Sequence, residues 1–492
     1  ALNVTEPVST GLGGDCFALY YEADNGTVTA LNGSGRAPAA LSIERLRREG
    51  MGQTLPPFHP YTITVPGACA GWCDLVDRFG HLSLAEILSP AIRLAEEGFP
   101  VAPITANAWR QAVHRQLTRA LNGQELTLEG RAPQAGEIFR NSGLARTLHL
   151  IANEGKQAFY QGPIAEGIAD IVQEAGGCLS LDDLADHNSS WEEPISTVYR
   201  GVRVWECPPN GQGLATLLAL NLLDGFDLTA LPPLSVARLH LQIEVMRLAF
   251  ADAQYYIADP AFAPAPLEEL LSPAYAAERR KLIRPDHANP AFRHGVPPAS
   301  SDTVYLSVVD GWGNACSFIN SNYMGFGTGI VPRGWGFSLQ NRGHNFSLEE
   351  GHPNALAPRK RPYHTIIPAL ATYADSGELY ASFGVMGGFM QPQGHFQVLS
   401  ALVDDGLDPQ APLDRPRFCL EADHQAGEIK LEEGIPNHVM AGLAELGHTV
   451  QPVSGNARSV FGRGQIIVRN SQNGVLTGGS DPRADGCAMC LV

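Results

Sequence analysis

Residues 300–318 read SSDTVYLSVVDGWGNACSF, and the change of character inside them decides the rest of the reading. Upstream, residues 284–301 read RPDHANPAFRHGVPPASS, whose prolines and polar residues propagate neither helix nor strand. From Thr303 the pattern turns to alternation, with Thr303, Tyr305, Ser307 and Val309 on one face of a strand. Threonine is an ordinary strand residue, so its type alone says little; its place, where linker becomes strand, says more. Cleavage of the Asp302–Thr303 bond gives Thr303 a free α-amine beside its own Oγ. Such an amine, with a pKa of about 7.7–8.0, is a base suited to neutral pH, and threonine with a terminal amine is a recognised nucleophile–base pair. The β-branch limits χ1 and holds Oγ in few orientations.

A hydroxyl nucleophile also needs donors for the oxyanion it creates. Residues 383–399 read FGVMGGFMQPQGHFQVL: a strand that ends at Gly387-Gly388, then a helix expected to start just after Pro392. Two glycines let the backbone approach a substrate closely, and amides leading into a helix point at negative charge. Taken alone, the same pattern also describes an ordinary strand-to-helix turn.

The length of 492 residues suggests about three domains, and one large α/β unit is also in range. Lys and Arg number 34 against 51 Asp and Glu, and the net charge of −17 argues against nucleic acid or an anionic membrane as partner. No apolar run approaches the ~20 residues that span a bilayer. The nine cysteines are scattered, several inside apolar runs, and are read as structural thiols. The Cys487-Ala-Met-Cys490 pair lacks a second pair to complete four ligands, so no metal site and no cofactor are expected. The start at Ala1, already inside an apolar pattern, suggests a missing N-terminal piece, so the compartment stays open between cytoplasmic and periplasmic or secreted.

The first part reads as helix-rich. A hairpin over 16–22 and 27–31 turns at Asn25-Gly26, a Ser83/Glu86 capping box opens a helix to about 97, and Val236, Leu239, Ile243, Met246 and Phe250 stripe a helix from Ser235. After the linker strands dominate, at 303–310, 314–319, 366–373, 378–385 and 465–469. That split fits layered α+β packing better than alternating βαβ units.

These stretches resemble the gamma-glutamyltranspeptidase family of N-terminal nucleophile hydrolases over nearly the whole chain. The likeness rests on EPVSTGLGGDCF (6–17), TVPGACAGW (64–72), PPNGQG (208–213), EVMRLAFADAQYYIADP (244–260), DTVYLSVVDGWGNACSF (302–318), FGTGIV (326–331), KRP (360–362), GGF (387–389) and SDPRADG (480–486). It implies a four-layer αββα sandwich and self-cleavage between Asp302 and Thr303. Residues 1–302 would form a large portion and 303–492 a small catalytic one, intertwined in one globular unit. It implies Thr303 as nucleophile, Gly387 and Gly388 as oxyanion donors and Ser321 as the hydroxyl beside the nucleophile. A homodimer of processed heterodimers is an assembly the likeness leaves open.

The acyl pocket departs from the family pattern. Ser34, in LNGSGRAP (31–38), stands where the family has an arginine for the glutamyl α-carboxylate, and Arg36 lies two residues on. Tyr323 and Asn345 stand where an asparagine and an acidic residue hold the α-ammonium, and Arg342 where Gln or Glu is usual. A family Ser-Ser pair becomes His364-Thr365. Loss of the counter-charge and gain of Arg342 disfavour an ammonium, whereas Arg36, Arg342 and His364 are suited to a carboxylate. For each arginine a structural ion pair, and for His364 a satisfied core histidine, is the plainer alternative.

The expectation is therefore an autoprocessed threonine amidohydrolase or acyltransferase acting on a small carboxylate-bearing amide. True γ-glutamyl transfer with glutathione hydrolysis is the alternative, and an unprocessed binding protein is the rival from another class. Nucleotide binding is weaker: GLGGDC (11–16) precedes a strand rather than opening a helix.

Overall fold

The computed structural model describes residues 1–52, 54–289, 302–420 and 428–490. Residues 290–301, the proline-rich part of the expected linker, lie outside the described residues.

Two antiparallel sheets carry the fold. The first has five strands in the order Ser190–Glu192, Thr27–Gly33, Asp15–Glu22, Ala315–Tyr323, Asp302–Val309. The second has six, in the order Leu476–Ser480, Arg463–Arg469, Leu379–Met386, Ala369–Tyr373, Val202–Glu206, Ile195–Tyr199. Residues on either side of the 302/303 junction contribute strands to both sheets, so each sheet is stitched from the two portions.

Period-two alternation sets which residues face inward. Phe17, Leu19 and Tyr21, with Tyr305 and Ile319, form a core with Leu370, Leu379 and Met386 of the second sheet. Tyr305 lies flat enough against the second sheet that a Cβ at Gly384 would sit 2.4 Å from its ring. Ser307 Oγ donates to Ser382 O at 3.2 Å across the same interface. The outer face of the second sheet, with Val204, Ala371, Phe383 and Val385, packs under the helices Gly213–Asp224, Val236–Tyr256 and Met390–Asp404. The helix Ala68–Phe79 lies against the first sheet, and a mostly helical core from Val4 to Leu339 fills the space beyond. No helix among the described residues is long and apolar enough to cross a membrane.

Local signals agree with the elements that form. The hairpin turns at Gly26 with φ +70°, and Asn25 Oδ1 accepts from Thr27 N at 2.8 Å. Ser83 and Glu86 close both halves of a capping box on the helix Leu84–Glu97. Two readings shift. The helix after Gly388 starts at Met390, so Pro392 lies inside its first turn, where a missing N–H costs little. The helix Val236–Tyr256 buries not only its apolar stripe but also Arg238, His240, Gln242 and Glu244, because chain packs around it on several sides.

Asp15 joins the portions. Its Oδ1 accepts from Gly35 N (3.0 Å), Gly67 N (3.0 Å) and Gln340 Nε2 (2.9 Å), and its Oδ2 lies 3.0 Å from His364 Nε2. Burial works against the charge, but the bond from His364, the Arg342 charge and the bond from Gln340 hold the carboxyl below its ordinary range. The glycines before it serve this contact: a Cβ on Gly14 would lie 2.2 Å from Ser321 O, so the glycine run buys close backbone approach.

Asp15→Asn should therefore cost about 1.5–3 kcal/mol of stability at pH 7, the range for a hydrogen bond to a charged group, read from denaturant midpoints. A carboxyl with a lowered folded pKa contributes fully above its unfolded value of about 3.9 and loses that contribution as pH falls through the folded one. The gap between wild type and variant should thus shrink below about pH 4. An unchanged midpoint at pH 7 would show that the joint lies elsewhere.

Candidate active site

The strand Asp302–Val309 pairs with Ala315–Tyr323 in regular register from Val304 onward, with Val304 opposite Asn320. Asp302, however, lies opposite Tyr323, so Ser321 and Asn322 together face Thr303. This is a β-bulge, a device that re-aims a side chain beside a site. Tyr323 takes φ +79° at its end, and its N–H turns back to Ser321 Oγ at 2.9 Å. The result is that Thr303 Oγ1 donates to Ser321 Oγ at 3.1 Å, with both residues fully buried.

Arg342 reaches the same oxygen. Its Nη2 donates to Ser321 Oγ at 3.3 Å, its Nη1 to Thr365 Oγ1 at 2.6 Å, and its guanidinium carbon stands 4.5 Å from the centre of the Tyr323 ring. Burial pulls its pKa down to about 10, with the Asp15 charge opposing, so it remains a cation at neutral pH. Among the described residues no carboxylate lies within ion-pair distance of Arg342, and its Nε has no acceptor. A buried cation with only neutral contacts is costly.

Thr365 leads onward to the glycine pair. Gln212 Nε2 donates both to Thr365 O and, at 2.7 Å, to Gly388 O, while its Oε1 accepts from Tyr363 OH at 3.1 Å. Gly387 and Gly388 have φ of +139° and +63°, conformations that other residues rarely adopt. Their carbonyls accept from Met390 N and Gln391 N, both at 3.1 Å, which starts the helix. Their own N–H groups have no acceptor among the described residues. Thr303, Ser321, Arg342, Thr365, Gln212 and Gly388 thus form one hydrogen-bonded chain.

The other predicted residues sit at varying distance from that chain. Tyr323 is part of it through its ring, and burial pushes its phenol well up. Asn345 Nδ2 donates to Tyr363 O at 3.1 Å, leaving its buried Oδ1 without a partner, as is the Tyr323 hydroxyl. His364 is spent internally on Asp15, and Ile366 N approaches its Nδ1 at 3.4 Å. Burial and the Arg342 charge pull its pKa down to about 3, so it is neutral, with Nε2 carrying the proton toward Asp15. Arg36 is more than a third exposed and reaches Asp259 at 3.3 Å. Ser34 Oγ accepts from Asn210 Nδ2 at 3.0 Å, and its carbonyl accepts from Arg361 Nε at 3.1 Å. Arg36 directs its charge to Asp259, and the neutral His364 is bonded to Asp15.

Sequence reasoning gave no role to Gln212 or Asp15, although both lie in quoted glycine-rich motifs. A polar residue set among glycines, where backbone runs close to backbone, was the available signal. Arg361 is a third: buried, bonded to Ser34 and Ser190, and within 3.4 Å of Glu192.

The nine cysteines are all free thiols, seven of them buried or half-buried and only Cys487 and Cys490 exposed.

Over residues 1–491 the chain matches the family model described as gamma-glutamyltranspeptidase. It is similar to the solved cephalosporin acylase from Bacillus halodurans, 45% identical with a TM-score of 0.90, over 99% of this chain and 88% of that one. It is 35% identical to the glutathione hydrolase-like YwrD proenzyme of Bacillus subtilis (strain 168), over 99% of this chain and 91% of the relative. It is 32% identical to the oxamate amidohydrolase proenzyme of Klebsiella pneumoniae subsp. pneumoniae, over 99% and 92%. With its mixed helix-and-sheet fold and matches of this extent, the chain belongs to the gamma-glutamyltranspeptidase family of enzymes.

Proposed function

We propose that this chain is an autoprocessed N-terminal threonine amidohydrolase and acyltransferase whose acyl donor carries a carboxylate and no α-ammonium. The observation that carries this reading is Arg342: a buried cation without a contacting carboxylate, bonded directly to the partner of Thr303. Helices over two facing sheets support the four-layer αββα reading, with residues 1–302 as the large portion and 303–492 as the small one. Relatives named as proenzymes support two subunits from one precursor.

In maturation, Thr303 Oγ attacks the Asp302 carbonyl carbon. The C–N bond breaks, its nitrogen takes the hydroxyl proton and becomes the Thr303 α-amine, and water hydrolyses the ester. In turnover, the same Oγ attacks the substrate amide while the amine accepts its proton and passes it to the leaving amine. Ser321 Oγ, fixed by Arg342 and the Tyr323 N–H, keeps Thr303 Oγ oriented. The Gly387 and Gly388 N–H groups receive the oxyanion. Water or an amine then takes the acyl group.

Arg342 is suited to the donor's carboxylate. Oxamate, for which one relative is named, has an acyl group of that kind. The second reading, γ-glutamyl transfer, draws support from the unpartnered Asn345 Oδ1, a neutral acceptor for an ammonium.

Thr303→Ala should remain a single chain on a denaturing gel and be inactive; splitting at 302/303 in that variant would remove self-cleavage by Thr303.

Gln212→Met keeps the volume but removes the donor that ties Gly388 to Thr365. Loss of that restraint should lower kcat by about 100-fold, as small misplacements of a reacting group do, with KM little changed. A kcat within about threefold of wild type would mean that the glycine loop is held by other contacts.

Glutaryl-anilide should be cleaved with at least about tenfold higher kcat/KM than γ-glutamyl-anilide, since an unpaired buried ammonium is penalised more than a missing methylene. The double variant Arg342→Gln with Asn345→Asp should move selectivity back toward the γ-glutamyl donor. A tenfold advantage for γ-glutamyl-anilide in the unmodified enzyme would establish the second reading instead.

A further inference from the structure

A second cluster lies outside the Thr303 chain, on the long helix Val236–Tyr256. His240 and Glu244 are four residues apart and so project from one face of that helix. His448 meets them from the segment after the helix Asn437–Glu445. One ligand atom from each of the three lies within 4.8 Å of the others, and all three residues are buried. We propose that His240, Glu244 and His448 form a site for a divalent cation of the zinc class, a role that the sequence reading did not expect.

The donor set is two imidazoles and a carboxylate, which suits zinc and its borderline neighbours. The outer contacts are those that metal-binding side chains need. His240 Nε2 lies 2.7 Å from Arg284 O, so it carries the proton and leaves Nδ1 with a bare lone pair. That Nδ1 faces His448 Nε2 at 2.7 Å. Two ring nitrogens at this distance share one proton, and a cation can take its place. His448 Nδ1 is buried without a hydrogen-bond partner, so it can receive the displaced proton by a change of tautomer, with no proton gained or lost. Glu244 is held by Asn289 N on Oε2 at 3.0 Å and by Arg247 Nη1 on Oε1 at 2.9 Å, each oxygen keeping a free lone pair. With zinc–nitrogen bonds of about 2.0–2.1 Å, tetrahedral ligands stand roughly 3.3 Å apart, so the two rings need to separate by only about 0.6 Å. A water can complete the shell.

The position suggests what the cation does. The cluster already grips residues 284–289 through Arg284 O and Asn289 N, and Ala288 N donates to Leu446 O at 2.7 Å. These are the last described residues before the 302/303 junction. A cation here would clasp the end of the first portion to the second. That clasp function rests on the cleavage reading, whereas the site itself does not.

The test uses the untagged, full-length protein with Cys487→Ser and Cys490→Ser, because two exposed thiols are rival ligands. After chelator treatment, calorimetric titration with Zn²⁺ and visible absorption with Co²⁺ should show one equivalent bound per chain, with tetrahedral cobalt bands and no thiolate charge-transfer band. Glu244→Gln and His448→Gln should each weaken binding at least tenfold. Should one variant fail to fold, the other carries the comparison. Absence of saturable 1:1 binding, or equal binding in a folded variant, overturns the site. Gel analysis of chain cleavage on the same samples separates failure of the clasp from failure of the site.

Discussion

The carboxylate of Asp15 is the contact on which the rest of the site depends. Four donors converge on it, two from backbone before the junction and two from side chains after it. Three of the four donors meet Oδ1 and one meets Oδ2, so both oxygens are engaged. Each donor fixes a different loop, and together they set the depth at which the first sheet meets the segment 340–365. The strand Asp15–Glu22 also pairs with Ala315–Tyr323, placing Asp15 opposite Ser321. Asp15, which binds donors from both sides of the 302/303 junction, is therefore one strand away from Ser321, the hydrogen-bond partner of Thr303.

From that joint the site follows by short steps. His364 is held by Asp15, which places its neighbour Thr365 within reach of Arg342. Arg342 then meets Ser321 across the bulge. Gln212 takes up Thr365 O on one side and Gly388 O on the other, so the Gly387-Gly388 turn is referenced to the same frame as Thr303. Groups from distant parts of a long chain are thereby held in one frame, the kind of placement that the proposed acyl transfer requires.

Much of this was legible in the sequence, and the rest has identifiable reasons for being hidden. Strands and caps depend on neighbours within a few residues, so the Asn25-Gly26 hairpin and the Ser83/Glu86 box were readable. Alternation also put Thr303 and Tyr305 on one face, but it could not show the bulge, because a bulge is an event between two strands. The helix Val236–Tyr256 was read as having one buried stripe. Its buried Arg238, His240 and Glu244 each have a partner more than thirty residues away (Asp405, Arg284 O and Asn289 N), and periodicity carries no trace of such partners. Arg36 and His364 had the right chemistry for a substrate carboxylate. Only three-dimensional placement shows Asp259 and Asp15 already beside them.

In the proposed reaction Arg342 would couple specificity to catalysis. An arginine that merely lined a pocket would be exchangeable at the expense of substrate affinity alone. This one also donates to Ser321 Oγ and Thr365 Oγ1 and stacks over Tyr323, so its removal loosens the group that orients Thr303. Residues sharing one hydrogen-bonded network do not contribute additively, and effects on binding and turnover should appear together. Tyr323, Arg342, His364 and Thr365 are then best understood as one coupled group. The buried Arg342 guanidinium lies on the Tyr323 ring, one of its nitrogens is held by the Thr365 hydroxyl, and the neighbouring His364 is neutral beside Asp15.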